Sequence, residues 1–225
     1  MTTYKLSPSD LTFAWDGCKL CFYLKVKHNI GYQGPFPGMF GKMANMTSTF
    51  YMEKPSSEIS PALPAGVIRY REGWVKSTPI TIPGFQSQCY IRGRFDAIIA
   101  FDDGSYGIID FKTSEARDEQ AAFYSRQLSA YAYALENPAP GALSLSPITH
   151  LGLFIVSPER FERKPDNDIV FVNQTTWVDI PRDDAAFLAL LGEVLAILEA
   201  PTPPAPAETC ALCKYRKEMK EADLA

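Results

Sequence analysis

Histidine is scarce in this chain: His28 and His150 are the only two in 225 residues, leaving at most two imidazoles for any catalytic or metal site. Positive charge is not in excess either. Twenty-two Lys and Arg stand against 26 Asp and Glu, for a net charge of −4, which is not the footprint of a protein that grips nucleic acid by bulk electrostatics. No apolar run is long enough to span a bilayer, nothing reads as a signal peptide, and no internal repeat is present. A membrane-spanning or solenoid protein is not expected. With no sign of export, the expected setting is reducing and cytoplasmic, so the cysteines are not expected to form structural disulfides.

What is present is globular. Hydrophobic residues make up 46% and aromatics 12%, values of an ordinary folded domain. The length suits one domain with a sizeable core, read here as residues 1–200 with the core at 67–180, followed by a 201–225 segment. Ser7-Pro8-Ser9-Asp10 reads as a helix start with Ser7 as cap, and Cys18 to Lys27 as helix. Residues 31–38 and 54–66 read as loops around a helix over Phe40–Met52. Strand character runs over Val67–Ile82, Gln88–Phe101, Tyr106–Lys112, Ile148–Val156 and Ile169–Val178. Helices are expected at Asp118–Glu136 and Pro181–Ala200. The order predicts an α/β fold with a mixed central sheet flanked by helices. Residues 201–206, Pro-Thr-Pro-Pro-Ala-Pro, favour an extended spacer of roughly 20 Å.

The most informative stretch is 93–113. Ile98–Phe101 and Tyr106–Phe111 are rich in β-branched and aromatic residues and flank Asp102-Asp103-Gly104, a hairpin signal. A two-residue turn would mix charged and apolar side chains on both faces. A three-residue turn with Gly104 left-handed pairs Phe95 with Phe111, Ala97 with Ile109, Ile98 with Ile108 and Asp96 with Asp110. It gathers Phe95, Ala97, Ile99, Phe101, Ile109 and Phe111 on one face, with Arg94, Asp96, Asp110 and Lys112 at one end of the other and Ile98 and Ile108 beyond. A one-residue slip exchanges faces, so this sorting selects the second register. Like charges placed directly opposite destabilise a sheet. A divalent cation reverses that cost, and oxygen donors suit magnesium or manganese. Lys112, two residues from Asp110, shares its face and is positioned for phosphate charge or an attacking water. Metal, carboxylates and lysine are the equipment of phosphodiester hydrolysis. Gln127 and Tyr131 share a helical face, with Tyr124 one turn earlier.

Five cysteines, Cys18, Cys21, Cys89, Cys210 and Cys213, include two C-x-x-C pairs, one near each end. Paired C-x-x-C is metal-ligand spacing, for zinc or an iron–sulfur cluster. The Pro-rich spacer makes sense if it carries Cys210 and Cys213 back toward Cys18 and Cys21. Cys89 reads as core. Basic residues fall in small groups: Lys19, Lys25 and Lys27; Arg69, Arg71 and Lys76; Arg92 and Arg94; Arg160, Arg163 and Lys164; Lys214, Arg216, Lys217 and Lys220. Several are placed to line a groove toward phosphates, and most read as solvated surface.

Taken together, Gly93-x-x-Asp96, Asp110-Phe111-Lys112-Thr113 and Gln127-x-x-x-Tyr131 resemble the PD-(D/E)XK nuclease superfamily, and more narrowly its RecB-like branch. The resemblance implies a metal-dependent DNA nuclease, an exonuclease of repair, recombination or defence, with DNA and a helicase or other repair or defence protein as partners. An inactive DNA-binding or complex-forming module on the same fold is the alternative. The resemblance makes Asp96, Asp110 and the Phe111 carbonyl the metal donors, Lys112 the catalytic lysine, and Gln127 and Tyr131 the flanking helix residues. A RecB-like subset that includes AddB and CRISPR-associated nucleases holds a 4Fe–4S cluster with one N-terminal and three C-terminal cysteines. Cys18, Cys210 and Cys213 match that pattern. Met219 stands near the place of the third C-terminal cysteine, and Cys21 is the candidate fourth ligand, with zinc as the alternative. The family's N-terminal metal-site histidine has no clean match. His28 lies earlier than expected, Glu53 is a lesser acidic candidate, and His150 reads as structural.

Overall fold

In the computed structural model, which describes residues 1–32, 34, 38–117 and 119–222, the β-branched runs separate into two mixed sheets. The strands are β1 (Thr3–Leu6), β2 (Gly66–Arg71), β3 (Trp74–Lys76), β4 (Ile80–Thr81), β5 (Gln88–Arg94), β6 (Ala97–Phe101), β7 (Tyr106–Thr113), β8 (Ile148–Arg163) and β9 (Ile169–Asp179). The helices are α1 (Trp15–Gly17), which continues a wide turn over Asp10–Ala14, then α2 (Lys19–His28), α3 (Gly38–Tyr51), α4 (Gln120–Glu136), α5 (Asp184–Glu199) and α6 (Ala211–Glu221). Asp118, where α4 was expected to begin, lies outside the described residues. No helix among the described residues is long and apolar enough to cross a membrane.

The larger sheet has the order β2-β6-β7-β8-β9, parallel only between β7 and β8. α4 makes the crossover between those two strands, as a parallel pair requires. The smaller sheet places β5 between β1 and β3, with β4 also on β5, and β1 runs parallel to β5. Both faces of the larger sheet are buried over β6, β7 and the first half of β8. Beneath α4 lie Ile98, Ile108, Leu153 and Ile155 with Leu128 and Leu135. On the other face Ala97, Ile99, Phe101, Ile109, Phe111 and Phe154 pack against Ile59 and Ile68, and Tyr51 at the end of α3 stacks on Phe111.

The β6–β7 register is Ala97 to Ile109, Ile98 to Ile108, Ile99 to Gly107 and Ala100 to Tyr106. The turn is the three-residue form: Phe101 N–H donates to the Ser105 carbonyl at 2.9 Å, and Gly104 has φ +86°.

Other expectations are corrected. Gln88–Phe101 is not one strand: a bend at Phe95–Asp96 divides it, and β5 and β6 enter different sheets. Phe95 therefore joins the α4-side core rather than the Ala97 face, because the bend interrupts the two-residue alternation. Val67–Ile82 is likewise three short strands. The chain begins with a strand that no local pattern announced, since its partner β5 is some 85 positions away. Ser7 does not cap through its side chain; its carbonyl accepts from Asp10 and Leu11 N–H instead.

Candidate active site and metal centre

The bend that splits β5 from β6 also builds the first site. The β6 ladder stops at Ala97, so the Phe111 N–H lacks the backbone acceptor that a longer strand would offer. Asp96 takes that place: its Oδ2 accepts from Phe111 N–H at 2.9 Å. A strand residue's N–H and C=O open on the same edge, so the Phe111 carbonyl faces the Asp96 side as well. Glycines allow the fold to close here. A Cβ on Gly93 would lie 2.6 Å from Pro8 Cδ and 3.2 Å from the Tyr131 ring, and one on Gly73 would lie 2.4 Å from Phe95 Cζ.

Asp110, one residue earlier on β7, points to the α4 face and is 3% exposed. Gln127 Nε2 of α4 donates to its Oδ1 at 3.0 Å. Its Oδ2 ion-pairs with Lys112 Nζ, whose ammonium also lies 4.5 Å from the centre of the Tyr124 ring. Tyr131 does not touch a carboxylate: its hydroxyl donates to the Arg94 carbonyl at 2.7 Å and holds the end of β5. Asp96, Asp110, the Phe111 peptide, Lys112 and Gln127 are thus brought together, with Tyr131 bracing the strand that delivers Asp96.

The electrostatics are those of a crowded acidic pair. Burial, reinforced by the Asp110 charge, pushes the Asp96 carboxyl up to about 7. Burial works to lower Lys112, but the Asp110 carboxylate outweighs it and holds the ammonium above its ordinary value. Burial, with both aspartates adding to it, also raises the Tyr131 phenol. Among the described residues Gln127 Oε1 has no hydrogen-bond partner, and Asp110 Oδ2 is held by its ion pair with Lys112. An oxygen-lined site whose two carboxyl groups share one lysine, and in which one carboxyl resists ionisation, fits a hard divalent cation.

His28 is not part of this group. It is exposed at the end of α2 with its ring against Tyr23. Glu53 is exposed and paired with Arg69, and His150 packs on Phe101. Sequence reasoning missed Glu72. It has φ +50°, its N–H donates to the Asp96 carbonyl at 2.9 Å, its carboxylate pairs with Arg94 at 3.7 Å, and its charge adds to the rise of Asp96. The signal was Glu72-Gly73, a turn-type pair inside an otherwise extended run.

The second site joins the chain ends. Cys18 caps α2 and Cys21 lies one turn inside it; Cys210 caps α6 and Cys213 lies one turn inside that helix. Both C-x-x-C pairs therefore sit on helix N-termini, where the dipole favours thiolate. Cys18 and Cys213 sulfurs are 3.8 Å apart, Cys21 and Cys210 3.7 Å, and Cys21 and Cys213 3.6 Å. All four sulfurs lie within 4.8 Å of one another. Burial raises Cys18, but hydrogen bonds, the Ala207 N–H at 3.4 Å among them, bring it down to about 7. Burial pushes Cys213 up to about 11. The quartet is a set of donors able to hold a metal. Cys89 is fully buried in the core, and that burial pushes its thiol up to about 12.

Comparison with known proteins adds a family. The family model described as the PD-(D/E)XK nuclease superfamily matches residues 52–217. No curated protein matches the chain. Among solved structures, one described as the crystal structure of SSO0001 is 16% identical with a TM-score of 0.44, covering 88% of this chain and 78% of that one.

Proposed function

The chain belongs to the PD-(D/E)XK nuclease superfamily, and we propose that it is a divalent-metal-dependent deoxyribonuclease of the RecB-like kind, an exonuclease working in DNA repair, recombination or defence alongside a helicase or similar partner. The observation that carries this reading is Asp96 bonded to the edge of β7 beside Asp110, with Lys112 paired to Asp110. Asp96, Asp110 and the Phe111 carbonyl would hold magnesium or manganese. A cation bound there supplies Lewis acidity for activating water and neutralising charge at the phosphate. Lys112 stabilises negative charge on the scissile phosphate and orients the attacking water. Gln127 fixes the Asp110 carboxylate from α4, and Tyr131 positions Asp96 through the Arg94 carbonyl. The test is digestion of single- and double-stranded DNA with magnesium or manganese. Hydrolysis that Asp110→Ala abolishes supports the reading; intact DNA, or an Asp110→Ala protein as active as the original, overturns it.

The cysteine quartet supports a structural metal in a reducing setting. Three of the sulfur pairs lie 3.6 to 3.8 Å apart and all four sulfurs lie within 4.8 Å of one another, a donor set that suits a 4Fe–4S cluster or, as the alternative, zinc. Elemental analysis of freshly purified protein decides: stoichiometric zinc and no colour supports the single ion, whereas iron with sulfide and absorbance near ~400 nm supports the cluster.

A further inference from the structure

The smaller sheet presents a face that the hydrolytic site does not use. Alternation along its strands sends Val75, Cys89 and Ile91 into the core. It turns Lys5, Trp74, Lys76, Arg92 and Arg94 outward as exposed side chains, with Tyr90 half-buried among them. The register sets Trp74 opposite Arg94, Lys76 opposite Arg92 and Lys5 opposite Tyr90. Cations and rings interleave: the Arg92 guanidinium lies 5.5 Å from the Trp74 ring centre and Lys76 Nζ 5.6 Å from that of Tyr90. None of the four strands contains an acidic residue, in a protein whose net charge is −4; Glu72, just before Trp74, pairs with Arg94 at one end of the face. Trp74 is 62% exposed, so its ring is open to a stacking partner among these cations.

Position gives the face its meaning. β5 runs along it and reaches Asp96 two residues after Arg94, across the bend and so at most about 7 Å along the chain. The segment before Trp74 is tied to the same point by the Glu72 N–H bond to the Asp96 carbonyl. We infer that this sheet face is a single-stranded DNA platform that feeds the Asp96–Asp110 site, with an unpaired base stacked on Trp74 and phosphates held by Lys5, Lys76 and Arg92. The inference rests on the nuclease reading and names its substrate: a strand with unpaired bases. An exposed aromatic on a flat sheet gains from a free base face. A duplex keeps its bases stacked and offers these residues only its backbone.

Of the three tryptophans, Trp15 is buried and Trp177 partly so, which makes Trp74 the natural reporter. Full-length protein is titrated with a ~12-nucleotide oligo(dT) in the absence of added divalent cation, following tryptophan emission. The expected result is quenching that Trp74→Phe removes and affinity that Trp74→Ala weakens at least about tenfold. Arg92→Ala and Lys76→Ala should each lower the slope of log affinity against log salt by about 0.7. Quenching undiminished in Trp74→Phe, an unchanged affinity in folded Trp74→Ala, equal quenching by a blunt duplex, or displacement of oligo(dT) by polyglutamate of equal charge would each overturn the platform. Binding without metal does not depend on hydrolysis. Hydrolysis by the unsubstituted protein of a small phosphodiester, too short to reach Trp74, reports on the metal site alone, so either reading can fail while the other stands.

Discussion

The carboxylate site and the cysteine site are held by opposite means. Asp96, Asp110 and Lys112 lie within 17 positions of one another, on strands whose faces are both buried. Packing fixes them whether or not a cation is present, and burial, with the Asp110 charge adding to it, leaves an Asp96 that resists ionisation. Cys18 and Cys213 lie 195 positions apart. α6, which carries the C-terminal pair, buries none of its residues, and the Pro-rich segment before it is largely exposed. Among the described residues nothing comparable to a core attaches α6, so a metal held by the four sulfurs would be the main bond between the chain ends. In one case the fold would hold the metal; in the other the metal would hold the fold.

The largest effects should separate the two along that line. Asp110→Asn is expected to lower DNA hydrolysis by at least about 10³ while circular dichroism stays native. A native-like melt with activity kept would break the comparison at its catalytic end. Cys213→Ser, or removal of the metal by a strong chelator, is expected to do the reverse. α6 should come free and proteases should cut within 201–209 at rates the intact protein does not show, while the sheet remains. Unchanged resistance to proteolysis after metal removal would mean that α6 is attached by something other than its sulfurs.

A pH series sharpens the carboxylate half. The Asp96 carboxyl is raised from 3.8 to about 7. A raised carboxyl favours the protonated folded state, so this contribution to stability is fully present below about 4 and lost as pH rises through about 7. The metal-free protein should therefore lose stability across that window, the opposite of ordinary acid denaturation, and Asp96→Asn should flatten the trend. Because a cation must displace the proton, manganese affinity should fall about tenfold per pH unit below the Asp96 value. Calorimetry with manganese between pH 5.5 and 8 reads this directly, and a flat profile would show Asp96 ionised throughout.

The parts of this arrangement that were legible in sequence are those decided by short-range rules. Only one hairpin register kept charge off the Ala97–Ile109 face, and that register is the one observed. Gln127 and Tyr131 share a helix face because their spacing is one turn. The break at Phe95–Asp96 was not legible, because its causes are contacts made elsewhere: Gly73 under the Phe95 ring, Pro8 against Gly93, and the Glu72 N–H on the Asp96 carbonyl. The pairing of β1 with β5 was hidden for the same reason, and with it the sheet face around Trp74. Asp96 opposite Asp110 was the right geometric idea, but the ladder ends one residue short and a side chain, not a strand, completes it.

The smallest predicted effect tests how rigid that completion is. Tyr131→Phe removes one hydrogen bond, from the phenol to the Arg94 carbonyl, and leaves the packed ring in place. The cost in stability should be about 1 kcal/mol, the ordinary worth of such a bond. Asp96 hangs from the strand end that this bond braces, so loosening it should misplace a metal donor without removing one. The expected signature is a several-fold loss in kcat, partly recovered at saturating manganese, with KM for DNA little changed. A loss in stability of the same size with kcat untouched would make Tyr131 a core residue only. It would also mean that the Asp96 bond to Phe111 N–H holds the site by itself.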